Sequence, residues 1–133
     1  MNLIRINHFY EALFNAIKND QNIVNSVSST YQIMPKHYSL PFAWFYIQNY
    51  IPQITNSSSI ANVTFSLEVH GYSINSVMQI AEYVENIIYD FKYKEDGFKI
   101  KKNRNQTRIK QSDHDKVMCA SNFYMFTKIT NSS

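Results

Sequence analysis

The sequence predicts an α+β fold: a mostly antiparallel sheet of about four to five strands with two main helices packed on it, as a two-layer sandwich. The first observation is a strand pattern, in which Val63, Phe65, Leu67 and Val69 alternate with polar residues. This period of two is typical of a half-buried strand. The second observation follows at once, because apolar residues then recur at spacings of three and four from Val77 to Phe91. That spacing predicts an amphipathic helix lying on the strand.

The start of this helix offers three candidate N-caps, Ser73, Asn75 and Ser76. Their side-chain oxygens can accept the first free amide protons of a helix. Ser76 also has Gln79 three residues on, as in a capping box.

An earlier helix is predicted from Asn7 to Lys18, where apolar residues collect on one side: Tyr10, Leu13, Phe14 and Ile17. Asp20 can cap a short continuation of it, and Ser28-Ser29-Thr30 is expected to close the helical region. The next segment, Tyr31 to Met34, is a short strand candidate, which Pro35 should end because proline lacks an amide proton.

The segment from Leu40 to Gln53 is the most aromatic part of the chain and predicts a strand that Pro52 ends or bulges. Phe42, Trp44 and Tyr46 fall on one face of it, with Phe45 and Ile47 on the other. Pairing with the strand at Val63 predicts an antiparallel hairpin with a mobile loop near residues 54–60. One helical layer leaves one aromatic face uncovered. That face is either ordinary protein surface or a subunit interface, where aromatic residues are enriched.

After the second main helix, a charged turn and Gly97 precede two strand ends that flank a flexible basic excursion near residues 101–107. A last strand is predicted from Lys116 to Ile129. The whole chain, residues 1–133, is expected to form one domain.

Composition excludes several classes of protein. With 133 residues, 44% hydrophobic and 15% aromatic, the chain can bury a core. Two glycines are too few for a glycine-rich phosphate loop. The single cysteine, Cys119, can form no internal disulfide, and we interpret it as a small buried hydrophobe rather than a nucleophile. No apolar run approaches the ~20 residues that cross a bilayer, so we expect a soluble protein.

The titratable residues suggest little chemistry. The histidines, His8, His37, His70 and His114, lack metal-ligand spacing. His70 with Glu68 could be an acid/base pair or a surface pair on a strand. Residues 113–115, Asp-His-Asp, could bind a metal or form a solvated turn. No nucleophile, base and oxyanion donor occur in a recognisable order. We therefore predict no enzyme, no metal and no cofactor.

A basic run is the remaining feature that could carry recognition. It comprises Lys99, Lys101, Lys102, Arg104, Arg108 and Lys110. Three interpretations stay open: a solvated segment or sheet edge guarded by lysines, a protein interface, or a nucleic-acid-binding module that neutralises phosphates. The net charge of +3 does not by itself imply nucleic acid.

The order of these segments resembles the tail completion, or tail terminator, proteins of long-tailed (siphovirus-like) bacteriophages and prophages. The resemblance rests on an N-terminal helix, a short strand ending in Pro35, and a Leu-Pro-aromatic opening at residues 40–45. An alternating strand from Phe65 to Tyr72 then leads directly into a helix with inward alanine and aliphatic residues, before a β-rich end. It covers about residues 9–129, and the basic run departs from the pattern.

The resemblance implies a virion structural protein that forms a homo-oligomeric, commonly hexameric, ring on the head-proximal end of the tail tube. Such a ring ends tube polymerisation and joins the tail to the head. Its implied partners are further copies of itself, the major tail tube protein and the head-side connector or stopper protein, with no membrane and no specific nucleic acid. It would reside in the host cytoplasm before assembly and in the virion tail afterwards. Our candidate interface residues are Trp44, Tyr46 and Tyr50 together with the basic run, Lys99, Lys101, Lys102, Arg104, Arg108 and Lys110.

Overall fold

A computed structural model describes residues 6–54, 58–92, 99–111 and 118–131. Within them the helices are α1 (Ile6–Asn19), α2 (Gln21–Ser26) and α3 (Ile74–Asp90). The strands are β1 (Ser29–Tyr31), β2 (Phe42–Ile54), β3 (Ser58–Gly71), β4 (Lys99–Gln111) and β5 (Met118–Asn131). The predicted α+β class is confirmed.

The strands lie in the order β1-β2-β3-β5-β4. Strand β2 pairs antiparallel with β3, β3 with β5, and β5 with β4. Strand β1, however, runs parallel to β2, with Ser29 opposite Phe42 and Tyr31 opposite Trp44. The sheet is therefore mixed. The predicted succession of hairpins is wrong at its first strand, because the chain crosses back through residues 32–41 before it enters β2.

The first strand also lies earlier than predicted. It spans Ser29–Tyr31, whereas Gln32 to Met34 leave the sheet. The backbone N–H and the hydroxyl of Ser28 donate to the carbonyl of Pro41, at 2.7 and 2.9 Å, and fix the strand's start beside β2. The helical region already closes at Ser26, where α2 ends. Ser29 and Thr30, which were expected to close it, instead pair with β2.

The helices cover one face of the sheet, and the main core lies between the two layers. The predicted helix stripes face the core: Leu13, Phe14 and Ile17 of α1 are buried, and so are Val77, Ile80, Ala81, Val84 and Ile88 of α3. Tyr10, Ile87 and Phe91 are only partly buried against this core, whereas Phe9, which the predicted stripe did not include, is buried. From the sheet they meet Ala43, Phe45, Val63, Phe65, Leu67 and Val69. The strand-then-helix unit read from the sequence is thus confirmed as the packing unit of this core.

The helix starts follow local chemistry. A carboxylate oxygen of Asp20 accepts from the amides of Asn22 and Ile23, at 2.9 and 3.3 Å, and caps α2 as predicted. Of the three candidate caps of α3, Ser73 is the one used, accepting from the amide of Ser76 at 3.2 Å. Just before it, a Cβ on Gly71 would lie 2.8 Å from Cγ1 of Val77. Glycine therefore permits the tight approach of β3 to α3.

The prediction that Pro52 ends or bulges its strand is wrong. Strand β2 continues through Pro52 to Ile54, and its register shift lies earlier, between Ile47 and Asn49. Strand β1 pairs only with residues 42–44, so no described strand lies on the outer edge of β2 beside Pro52. A proline is tolerated at such an edge because no neighbouring strand there needs an amide proton from it. The residues 55–57 of the predicted loop lie outside the described part, while Ile54, Ser58 and Ser59 are in strands.

The basic segment near residues 101–107, predicted to leave the sheet, is part of a strand in the structure. Residues 99–111 form a single strand, β4, on the edge of the sheet. Its pairing with β5 is interrupted only between Arg104 and Thr107, inside the segment expected to leave the sheet. The preceding turn and Gly97, like residues 112–117, lie outside the described part.

Tyr10 of α1 links the helical layer to the sheet. The Tyr10 hydroxyl donates to the carbonyl of Phe45 at 2.7 Å, and its ring stacks on Phe65. Burial, with a smaller contribution from the Glu11 carboxylate, raises the pKa of Tyr10 from 10.0 to about 12. A folded-state pKa above the unfolded value adds stability that is complete below pH 10 and is lost as pH rises towards 12.

Tyr10→Phe should remove this dependence. Below pH 9 the variant is expected to be less stable by about 1 kcal/mol, the usual net worth of one hydrogen bond. The deficit should shrink between pH 10 and 12. Urea unfolding of both proteins across this range measures the difference, in which the titration of the other tyrosines cancels. A deficit independent of pH would contradict the role given to the hydroxyl.

Candidate interaction surfaces

The face of the sheet opposite the helices carries an aromatic cluster next to a charged pair. We define the aromatic face as Phe42, Trp44 and Tyr46 of β2 with Glu68 and His70 of β3. The register places Phe42 opposite His70 and Trp44 opposite Glu68. The rings of Phe42 and His70 stack with centroids 4.6 Å apart, and those of Trp44 and Tyr46 at 3.9 Å. The sequence correctly predicted that the three aromatic residues share a face.

Polar contacts tie this face together. The Tyr46 hydroxyl donates to one carboxylate oxygen of Glu68 at 3.3 Å. The other oxygen of Glu68 lies 3.0 Å from Nε2 of His70, and both side chains are mostly covered, with 25% and 18% exposure. The pair that the sequence offered as a possible acid/base couple is therefore a hydrogen-bonded pair held against aromatic rings. Through its second oxygen, Glu68 also holds the Tyr46 hydroxyl in place.

One end of the aromatic face is covered by the connection between β1 and β2. We call residues 32–41 the strap. Tyr38 of the strap packs on Phe42 with ring centroids 4.6 Å apart, and the carbonyl of Gln32 accepts from the indole N–H of Trp44 at 3.1 Å. Phe42 is completely buried beneath these groups, outside the main core. Trp44 and Tyr46 stay only partly covered.

The expected Trp44, Tyr46 and Tyr50 face is wrong in its third member. The bulge places Gln48 as an extra residue in β2, so that Ile47 faces Phe65 while Tyr50 faces Val63. One extra residue moves everything after it to the opposite face. Tyr50 accordingly packs against the main core, and burial raises the pKa of its hydroxyl.

Beyond the aromatic face, the same side of the sheet continues with no helix over it in the described part. Gln48 is bonded to the buried hydroxyl of Ser66. Ile51, which pairs with Asn62 on this side, is 50% exposed. An aromatic patch beside an open, partly apolar sheet surface is an arrangement that favours contact with a partner.

A second surface, which sequence reasoning missed, is a groove between the helices. We call it the helix groove, and its volume is about 460 Å³. It is lined by Ala16, Asp20, Asn22, Tyr83, Asn86, Ile87, Asp90 and Phe91. The residues come from α1, α2 and α3, so no local pattern in the sequence joins them. Its lining combines apolar and aromatic residues with polar ones, and Asp20 and Asp90 bring two carboxylates to it.

The basic run lies in β4, the last strand of the sheet. Backbone pairing sets Arg108 opposite Ser121 and Lys110 opposite Cys119, which in turn pair with Glu68 and His70. The side chains of the basic run and of Cys119 lie outside the described part. A lysine-rich edge strand fits the edge-guarding interpretation, and the nucleic-acid interpretation stays a prediction.

The described residues hold no group of three or more histidine, cysteine, aspartate or glutamate side chains that could bind a metal ion. Residues 113–115 fall outside that part. His8 and His37 are exposed and far apart in the sequence. The absence of enzymatic activity and of a cofactor stays a prediction from the sequence.

Among the helices described, α3 is the longest, and none is long and apolar enough to cross a membrane. Comparison with protein-family models finds no match, and no curated protein matches the chain. We therefore infer a function from the surfaces above and from the resemblance in layout.

Proposed function

We propose that this chain is a structural tail protein that caps the head-proximal end of a bacteriophage tail tube as a homo-oligomeric ring. The ring ends tube polymerisation and joins the tail to the head-side connector. We further propose that the whole chain forms a two-layer α+β sandwich and that its sheet is mostly antiparallel.

The observation that carries the proposal is the side of the sheet that none of the described helices covers. A sheet with one helical layer leaves its second side to be covered by something else. Here that side presents Trp44 and Tyr46, stacked on each other and partly covered. Tryptophan and tyrosine are the residue types that most often dominate binding energy at interfaces. The Glu68 carboxylate fixes the Tyr46 ring, so little side-chain freedom would be lost on contact with a neighbouring subunit or the tail tube.

The proposal is tested directly where the encoding element can be induced. Deleting this gene and imaging the lysate by negative-stain electron microscopy is expected to give tails of uncontrolled length that are not joined to filled heads. Normal tails on intact particles would refute the terminator function. The nucleic-acid alternative would then be tested through binding of an oligonucleotide, which should weaken steeply as salt rises.

The aromatic contact is tested in the same system. Trp44→Ala with Tyr46→Ala is expected to weaken assembly by about 30-fold or more, the effect of losing interface contacts worth about 2 kcal/mol. The monomer should stay folded, because neither side chain belongs to the main core. Circular dichroism checks the fold, and complementation of the deletion by plasmid-borne variants measures assembly.

The matched control is Tyr72→Ala, which removes another aromatic side chain, 71% exposed and outside the aromatic face. It should complement like the natural protein. Full complementation by the Trp44 and Tyr46 double variant would exclude this patch as the contact.

A further inference from the structure

The strap presents apolar side chains to solvent at a defined place. Ile33 is 83% exposed and Met34 is 40% exposed. We call these two residues the tip. The strap around them is held at several points: Gln32 bonds to Glu11 and to Trp44, and Tyr38 packs on Phe42. The tip is thus an apolar projection on a fixed support, and a partner that covered it would remove this apolar surface from water.

The helix groove could receive the apolar side chains of the tip. Its apolar lining of Ala16, Ile87 and Phe91 with the ring of Tyr83 could cover two aliphatic side chains. At about 460 Å³ the groove is many times the ~30 Å³ that one water molecule occupies in the liquid, so it has room for them.

Charge is complementary as well. Lys36 follows the tip within the strap and is exposed. Asp20 and Asp90 line the groove, and Asp90 is the last residue of α3, where the helix dipole is already negative and no basic residue lies in the last turn. A cation supplied from outside would be favoured there.

We propose that the tip of one copy of this chain docks into the helix groove of a second copy, with Lys36 beside Asp20 and Asp90. The tip and the groove share no residues, so the contact is heterologous and repeats head to tail, as a ring requires. This inference rests on the ring-forming function proposed above and names the contact between neighbouring subunits.

Disulfide trapping tests the contact. In a background carrying Cys119→Ser, Met34→Cys is combined with Asn86→Cys, and the concentrated protein is oxidised and run on a non-reducing gel. We expect a ladder of dimers, trimers and larger species, because every copy has both halves of the contact. Mixing the two single-cysteine variants should instead give dimers only.

The matched control is Tyr72→Cys with Asn86→Cys, in which a position outside the tip that is more exposed than Met34, at 71% against 40%, replaces it. Adding Ile33→Asp to the trapping variant should lower the yield of the ladder about 10- to 100-fold, as expected for losing one buried aliphatic side chain. Lys36→Glu should also weaken the ladder, and Asp90→Lys should restore it.

A ladder no stronger than that of the Tyr72 control would overturn the inference. So would a ladder unaffected by Ile33→Asp. Neither result depends on tail morphology: an absent ladder with abnormal tails in the deletion strain refutes this contact and leaves the terminator function standing. A specific ladder with normal tails establishes head-to-tail association and refutes the terminator function.

Discussion

Phe65→Ala is expected to lower the free energy of unfolding by about 3–5 kcal/mol, the usual cost of emptying a phenylalanine site in a core. Phe65 is completely buried at the centre of the main core. Its ring lies 5.4 Å from that of Phe45, 5.7 Å from Tyr10 and 6.0 Å from Phe9, measured between centroids. Truncation removes contacts to both layers at once, and backbone pairing of β3 on both sides prevents the site from collapsing.

Since domains are stable by about 5–15 kcal/mol, this loss is enough to unfold a large fraction of the protein on mild heating. Urea unfolding followed by circular dichroism measures it. Tyr72→Ala provides the comparison at an exposed aromatic site and should change stability by no more than about 0.5 kcal/mol. A loss below 1 kcal/mol for Phe65→Ala would mean that the two layers do not meet at this ring.

Phe42→Ala is expected to lower the free energy of unfolding by about 3 kcal/mol, although Phe42 lies on the side of the sheet that no described helix covers. The sequence groups it with Trp44 and Tyr46 as one surface, but the strap covers it completely. Its ring supports Tyr38 at 4.6 Å and Tyr31 at 5.8 Å. Removing it should therefore loosen the strap as well as destabilise the fold.

The single tryptophan reports this loosening. Trp44 donates to the Gln32 carbonyl at the start of the strap, so its fluorescence should shift to longer wavelength in Phe42→Ala before global unfolding. For the stability measurement, Tyr46→Ala is the control, because it removes a neighbouring ring that is only partly buried. Equal losses of unfolding free energy in Phe42→Ala and Tyr46→Ala would show that Phe42 contributes no more to stability than Tyr46 does.

Most of the helical layer could be predicted from the sequence. The stripes of α1 and α3 and the alternation of β3 are local patterns, and each is produced by burial of one side of one element. The caps at Asp20 and Ser73 are equally local, because a cap bonds amides only two or three residues away. For these parts residue order along the chain was enough, except that it left the cap of α3 open among Ser73, Asn75 and Ser76.

The predictions that the structure contradicts failed for a different reason. The parallel pairing of β1, the bulge at Gln48 and the continuous edge strand β4 depend on which strand lies alongside, and a sequence does not display its neighbours. Tyr50 shows the consequence most clearly, since one unpaired residue moved it from the expected interface to the main core.

By itself, then, the sequence determined the α+β class, the two main helices, the Asp20 cap and the side of β3 that is buried, because these follow from periodicity and from hydrogen bonds between near neighbours. Only the tertiary structure decided which aromatic residues remain at the surface, and that a groove exists between α1, α2 and α3. The physical reason is that burial at these places is decided by segments distant in the chain: the strap over Phe42, the bulge before Tyr50, and three separate helices around one groove.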